Sequence, residues 1–473
     1  MLKPTIGCEV HCELKTATKL FCGCKNEFGG EPNTHCCPVC SGFPGTLPVL
    51  NEKAVEYTVK AGLALGCEIN KFSKWDRKNY FYPDLPKAWQ TSQYDLPLCV
   101  GGCVEFELNG ELKRVRLNRI HLEEDAGKLV HDGGISSVDY NRCGVPLIEI
   151  VTEPDMHSAE EVVAFLTALK SVLKYTGVSD VKMQEGSLRC DVNLSVAEEG
   201  APLGTRTETK NLNSFRAVSR SVLYETRRQI EVIESGGKIE QETRRFDDNR
   251  GIGYAMRSKE DAHDYRYFPE PDLLPVVFTD ERIKEIGDSI PELPKARKAR
   301  YVGEYGLPVY DAEVLTVDKD VSDLFDGAVK LGADAKKTSN FIMSEVLRLA
   351  KTDGAEDADI RITASALAEI VKMQAADELN NLAAKSLLAA VWGTDDDPRA
   401  VAKEKGLLQS NDEGAIKEIF DKVIAANKPQ LEDFLGGNDK IRGYFVGQVM
   451  RAAGGKANPK IINALLDALK NGK

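Results

Sequence analysis

Glu9 and His11 stand two residues apart in the stretch T-I-G-C-E-V-H-C-E-L, Thr5 to Leu14. Ile6, Cys8, Val10, Cys12 and Leu14 share one parity and the polar residues share the other, the pattern of a strand with one apolar face. On an extended chain a carboxylate and an imidazole at that spacing point the same way, roughly 7 Å apart, and can share one cation. For this stretch alone the plainer reading is the solvated side of an antiparallel strand. Further acids shift the balance. H-L-E-E-D-A-G-K gathers Glu123, Glu124 and Asp125 at a strand end. G-V-P-L-I-E-I-V-T-E-P-D sets Glu149 and Glu153 on one parity, with Leu147 and Val151 flanking Glu149 on its own face. A carboxylate buried there is costly without a metal or a cation beside it. Ser187 to Val196 repeats the opening alternation, with Arg189, Asp191 and Asn193 on its polar side. Carboxylates converging from several strands, with one His, are hard-ligand chemistry for Mg²⁺ or Mn²⁺.

A second constellation is soft. All twelve cysteines lie at or before Cys190, a distribution that suggests metal binding or buried thiols in preference to a disulfide framework. Cys22-x-Cys24 and Cys37-Pro-x-Cys40 bracket a loop crowded with Gly, Pro and Asn. Four thiolates can close a tetrahedral zinc site and order a loop too poor in apolar residues to fold alone. Cys36 and His35 are rival ligands for the third place. Four protein ligands leave no open position, so the zinc is expected to be structural.

A third carries cations and aromatics. Residues 73 to 95 break every periodicity and read as an ordered irregular loop, in which Arg77 and Lys78 could meet phosphates. Tyr80, Phe81 and Tyr82 could stack on a base, or equally pack beneath the loop. From Lys440 onward, seven Lys or Arg face one acid, Asp467. The total charge of −12 therefore hides a local basic patch, whose plain alternative is a solvated helical surface. Neither a G-x-x-x-x-G-K-[ST] loop nor a G-x-S-x-G elbow occurs, so any ATP site is of neither P-loop nor protein-kinase type.

The elements that must position these residues follow from pattern. A chain of 473 residues should form two or three domains. It has no apolar run of about 18 residues and no apolar leader, so no membrane span is expected and the cytosol is the default. Helices are expected over Asn51–Cys67, over Ser158–Gly177 with Ser158 and Glu161 as a capping box, and from Phe215 to Glu234. Phe106 to Leu122 reads as a hairpin turning at Asn109-Gly110. The stretch 261–275 is a further loop of aromatics, prolines and acids. A linker at Pro291–Pro294 precedes an almost wholly helical remainder, in which Ser410 and Glu413 form another capping box. Pattern alone gives a mixed α/β metal-dependent enzyme with a helical, basic tail.

Several segments go further. I-G-C-E-V-H, K-W-D-R-K-N-Y-F-Y-P-D-L-P-K, H-L-E-E-D-A-G-K, Y-N-R-C-G-V-P-L-I-E-I-V-T-E-P-D, E-G-S-L-R-C-D-V-N, K-N-L-N-S-F and D-Y-R-Y-F-P-E-P-D occur in that order. They closely resemble the B-subunit family of the tRNA-dependent aspartyl/glutamyl amidotransferases. The resemblance implies an α+β chain: a cradle domain over 1–293 with a zinc knuckle at 22–40, a helical domain over 294–405, and a helical tRNA-binding tail over 406–473. It implies a cytoplasmic ligase that uses ATP to phosphorylate the side-chain carboxylate of Glu-tRNA(Gln) or Asp-tRNA(Asn). Ammonia would come from an amidase A subunit, with a small C subunit completing the assembly.

Carried over residue by residue, the resemblance implies a Mg²⁺ site at Glu9, His11, Glu124 and Glu149, with Mn²⁺ as the alternative. Glu123, Asp191 and Glu185 would be supporting or additional metal positions, so that Glu124, His11, Glu123, Asp191 and Glu185 form the catalytic set. Arg77, Lys78, Arg189 and Lys210 would clamp phosphates, and Cys22, Cys24, Cys37 and Cys40 would hold structural Zn²⁺. Lys440, Arg442, Arg451 and Lys456 would contact tRNA phosphates. The competing reading is a non-catalytic tRNA-binding module whose carboxylates merely scaffold a zinc-ordered fold.

Overall fold

Seven strands make up the body of the large sheet in the first part of the chain: β1 (Leu2–Glu13), β2 (Glu111–Glu124), β3 (Pro146–Thr152), β4 (Leu188–Glu198), β5 (Thr207–Leu212), β6 (Glu242–Asp247) and β7 (Ile252–Ser258). The computed structural model describes residues 1–258, 265–351, 358–410 and 412–472. Within them the strands lie in the order β7-β6-β5-β4-β1-β3-β2, extended past β2 by Cys99–Val100 and Glu68–Ile69. Neighbours run antiparallel except β5 and β6. The alternation read in the first stretch thus belongs to an interior strand, paired on both sides.

Period 2 decides what lies on each face. Ile6, Cys8, Val10 and Cys12 of β1, Ile148 and Ile150 of β3, and Cys190, Val192 and Leu194 of β4 are buried in one core. Helix α1 (Ala159–Thr176) adds Val162, Phe165, Leu166 and Leu169 to that core, and α2 (Phe215–Glu234) adds Val218 and Val222. Cys8, Cys12 and Cys190 are therefore packing residues. The opposite face of the sheet keeps the polar parity.

Local signals place the helices and turns. Ser158 accepts from Glu161 N at 3.1 Å, Glu161 reaches back to His157 N at 2.6 Å, and Gly177 ends α1 at φ 73°. A residue free of a Cβ takes that left-handed conformation without strain. The hairpin from Cys103–Leu108 into β2 turns at Asn109 (φ 54°) and Gly110 (φ 80°), both positive as a type I′ turn requires. The helix expected over Asn51–Cys67 occupies Glu52–Ala64, capped by Asn51.

Two expectations are corrected. The stretch from 73 to 95 contains strands Asp76–Asn79 and Trp89–Ser92, paired with each other, and the first pairs also with Phe268–Pro269. Four-residue strands made largely of polar residues carry too little alternation to be read. The capping box at Ser410 and Glu413 does not form: Asp412 caps helix Glu413–Ala426 by accepting from Ala415 N, while Ser410 N donates to Lys456 O at 2.6 Å. Of the loop at 261–275, residues 261–264 lie outside the described residues.

The chain divides into two compact units, Met1–Pro294 and Lys295–Lys473. The second is helical, and its buried apolar side chains form two clusters. One gathers Tyr301, Leu315, Phe325, Ile342 and Leu387, the other Ile416, Phe420, Phe434, Phe445, Ile462 and Leu466. Among the described residues no helix is long and apolar enough to cross a membrane. The architecture is the expected mixed α/β one, sheet-rich first and helical after.

Candidate active-site cavity and cysteine knuckle

The polar face of the sheet is set by register. His11 lies opposite Glu149 on β3 and opposite Arg189 on β4; Glu9 lies opposite Asp191; Glu149 lies opposite His121 on β2. Glu123, two residues beyond His121, shares its parity. The outcome is one row of ionisable side chains from four neighbouring strands, joined by Glu208 and Lys210 of β5.

It resolves into three groups. In the first, His11 Nε2 is 3.5 Å from Glu149 and 3.9 Å from Glu123, and one ligand atom from each of the three lies within 4.8 Å of the others. Buried His121 touches the same two carboxylates at 3.4 Å each. Burial acts to lower its pKa, but Glu149 and Glu123 outweigh it and push the ring up to about 9. Burial would raise the Glu149 carboxyl, yet His121 and His11 hold it well below the usual carboxylate range. Lys78 is raised against the opposing effect of burial by the charges of Glu123 and Glu149, and its ammonium lies 4.9 Å from the Tyr265 ring centre.

In the second group Glu9, Asp191 and Glu208 also bring ligand atoms within 4.8 Å. Lys210 bridges Asp191 at 2.6 Å and Glu208 at 2.7 Å, and Asn193 donates to Glu9 at 3.0 Å. Burial, then the charges of Glu149 and Glu208, raise the Glu9 carboxyl. In the third, Asp125 accepts from Arg189 and lies 3.6 Å from Arg142. Burial and the neighbouring Asp125 push Glu13 up to about 8.

A cavity of about 730 Å³ opens over this face, and His11, Glu123, Lys78, Arg189, Asp191, Lys210 and Glu185 all line it. Hard oxygens at close range and one imidazole, with Lys78, Arg189 and Lys210 among the cations that line the same cavity, suit a divalent ion together with phosphate groups. Glu185 lies 2.8 Å from Lys182.

Two sequence assignments fall elsewhere. Glu124 does not join His11 and Glu149. It follows Glu123 on a strand and so leaves by the opposite face, where it accepts from Lys87 and from Thr91 N at 2.9 Å. It lines a separate cavity of about 410 Å³ with Lys87, Arg77, Trp89 and Cys40. Arg77 belongs to that second cavity too. Its guanidinium donates to both Glu270 oxygens at 2.6 and 2.7 Å and to Asp272 at 3.1 Å, and stacks 4.0 Å from the Trp89 ring centre. Glu9 stands on the expected face but in the group beside His11's.

Three further participants join these groups. His121 is legible in the sequence, since it precedes Glu123 by two on an alternating strand. Glu208 is legible in the same way, paired in parity with Lys210 in T-E-T-K. Lys87 is not, because it comes from a loop.

Cys22, Cys24, Cys37 and Cys40 bring their sulfurs within 4.8 Å of one another, with 4.0 Å between those of Cys37 and Cys40. Tetrahedral zinc with bonds of about 2.3 Å needs sulfurs roughly 3.8 Å apart, so the set fits that ion. Of the rivals, Cys36 donates to Asn33 O at 3.2 Å and His35 N donates to Asn141 at 2.7 Å; neither joins the group. A hydrogen bond from Cys22 pulls the Cys40 thiol down to about 4 and raises its own.

Against known proteins, the family model described as the GatB/GatE catalytic domain matches residues 4–284, and that described as the GatB domain matches residues 323–469. The B-subunit of the aspartyl/glutamyl-tRNA(Asn/Gln) amidotransferase of Caldicellulosiruptor bescii is 56% identical over 467 residues, covering 98% of this chain and 97% of the relative. The proteins of the same name from Thermoanaerobacter sp. strain X514 and Carboxydothermus hydrogenoformans are 54% and 50% identical, each over 98% of this chain and over 98% and 97% of their own. Identity of that extent spans both units and every motif placed above, and this chain belongs to the amidotransferase B-subunit family, whose members are components of a glutamine-dependent ligase.

Proposed function

We propose that this chain uses ATP to activate the side-chain carboxylate of misacylated Glu-tRNA(Gln), Asp-tRNA(Asn) or both, and passes the activated group to ammonia. The observation that carries this reading is the His11–Glu123–Glu149 group, whose His11 and Glu123 line a cavity together with Lys78, Arg189 and Lys210. A carboxylate oxygen attacks the γ-phosphorus, ADP leaves, and an acyl phosphate forms. The nitrogen lone pair of ammonia then attacks the acyl carbon, phosphate departs with the bonding pair, and one proton is lost. His11, Glu123 and Glu149 would hold Mg²⁺ or Mn²⁺, and Glu9, Asp191 and Glu208 form a second set of the same character. When bound, such an ion offsets charge on the transferring phosphoryl group. Lys78, Arg189 and Lys210 bind and orient phosphate oxygens. Arg77 is left out of that role, because it lines the separate cavity with Glu124 and not the one lined by Lys78, Arg189 and Lys210.

Cys22, Cys24, Cys37 and Cys40 hold zinc, which orders the knuckle and takes no part in the chemistry. In this reading residues 1–293 carry catalysis, 294–405 form a helical domain, and 406–473 meet the tRNA body through Lys440, Arg442, Arg451 and Lys456. An amidase A subunit supplies ammonia, a small C subunit completes the complex, and the assembly works in the cytoplasm. The test uses the chain purified with its amidase partner, ATP and glutamate-charged glutamine tRNA. ADP release that requires the charged tRNA is the expected result. No release despite tight tRNA binding overturns the catalytic reading in favour of a binding module.

A further inference from the structure

Lys19 is fully buried at 0% exposure, and a lysine ammonium is seldom taken out of water without an anionic partner. Among the described residues it forms no ion pair with a carboxylate. Its Nζ instead lies 3.6 Å from Cys40 Sγ and 3.2 Å from the Tyr140 carbonyl oxygen. Cys40 is the buried member of the four-cysteine group, and its sulfur also accepts from Cys37 N at 3.2 Å. One sulfur therefore receives a backbone N–H and a buried ammonium.

That arrangement has little purpose around a neutral thiol. A zinc ion with four thiolates carries a net charge of about −2, and burying uncompensated charge costs several kcal/mol. A fixed cation in hydrogen-bond contact with one thiolate offsets half of it. Lys19 also ties the knuckle to the segment opposite. Beyond its bond to Tyr140 O, Asn33 donates to Asp139 and to Val138 O at 3.0 Å each, and Cys143 donates to Cys40 O at 3.2 Å. The same segment carries Arg142, which lines the large cavity.

We propose that Lys19 is the charge-balancing residue of the cysteine knuckle: its ammonium donates to the Cys40 thiolate, and zinc is held tightly only while that cation is in place. The inference rests on the reading of the four cysteines as a zinc site and adds to it a positioning residue outside the ligand set. The test is competition for Zn²⁺ between the full-length chain and a chromogenic chelator, for wild type and Lys19→Met, which keeps the length of the side chain without its charge. Wild type should hold one zinc per chain, and Lys19→Met should bind it 10- to 100-fold more weakly, on the order of the loss seen for partners that orient metal ligands. Thermal melting of zinc-loaded and stripped chains accompanies it, and the substitution should lower the melting point mainly of the loaded form. Equal losses in both forms, or unchanged zinc affinity, overturn the proposal. Lys19→Arg retains a cation and should hold zinc more tightly than Lys19→Met; equal affinities of the two also overturn it. A wild-type chain that binds no zinc overturns the zinc reading, and this inference with it.

Discussion

Two consecutive carboxylates leave β2 on opposite sides, Glu123 toward His11 and His121, Glu124 toward Lys87 and Thr91. Their substitutions should therefore differ in kind. Glu123→Gln removes a hard ligand from the group proposed to hold the cation. Charged-tRNA-dependent ADP release should fall about 100-fold or more, with a higher Mg²⁺ concentration needed for half-activity. Glu124→Gln strands the nearly buried ammonium of Lys87 and should instead lower stability by roughly 3 kcal/mol, the usual cost of breaking a buried pair. Mg²⁺ titrations of ADP release, run beside denaturant melts, separate the two. Equal shifts in Mg²⁺ requirement would return Glu124 to the metal. At this scale parity along a strand was legible: Glu9 with His11, and Arg189 with Asp191, do share a face. What a single strand cannot carry is cross-strand register, and register decides that His11 meets Glu149 while Glu9 meets Asp191 and Glu208. Cations that arrive from loops, Lys87 and Lys19 among them, leave no periodic signature at all.

At the scale of elements, α2 is fastened to the sheet by a charged network as well as by its apolar stripe. Glu225, 2% exposed, accepts from Thr207 at 2.8 Å and from Arg228 at 2.7 and 2.9 Å, and lies 3.2 Å from Arg244. Burial alone would raise this carboxyl, but hydrogen bonds from Arg228, Gln229 and Thr207 hold it below its ordinary value. A carboxyl depressed in the fold stabilises it above the unfolded pKa, and that contribution is lost as pH falls through the folded value. Glu225→Gln should cost roughly 2 kcal/mol at neutral pH, since Arg228 and buried Arg244 lose one carboxylate and keep only Glu242 as charge partner. The deficit should shrink as pH falls below the ordinary glutamate value and through the depressed folded one, where the wild-type carboxyl takes up its proton. Denaturation midpoints between about pH 3 and pH 7 measure it, and a deficit independent of pH would show that the charge is not the cause. Long elements such as α1, with a cap, a stripe and a terminal glycine, were readable from sequence. The short strands at Asp76–Asn79 and Trp89–Ser92 were not, because what completes their sheet is Phe268–Pro269, far along the chain.

For the molecule as a whole, a net charge of −12 coexists with a basic end, and the structure sorts that end's cations. Arg442 pairs with Asp467, Lys470 with Asp439 and Lys460 with Asp377, whereas Lys440, Arg451 and Lys456 form no ion pair among the described residues. Phosphate contact needs cations whose charge is not already answered, so the unpaired three should carry more of the tRNA affinity than Arg442. Where the tail is cut matters as much. The final apolar cluster takes Ile416, Phe420 and Ile424 from helix Glu413–Ala426, and Phe445, Val449, Ile462 and Leu466 from beyond Asn438. Truncation at residue 437 would divide that core and expose the half left behind. Deletion of residues 410 to 473 removes it entire and leaves the cluster around Tyr301 and Phe325 intact. The longer deletion should therefore stay folded and lose affinity for cognate and non-cognate tRNA alike. It should retain ammonia production by the partner subunit, and the slope of log affinity against log salt should fall by roughly 3, at about 0.9 per phosphate contact. Binding measured across a salt series decides the matter: an unchanged slope would mean that the basic end is a solvated helical surface and that the tRNA is held elsewhere.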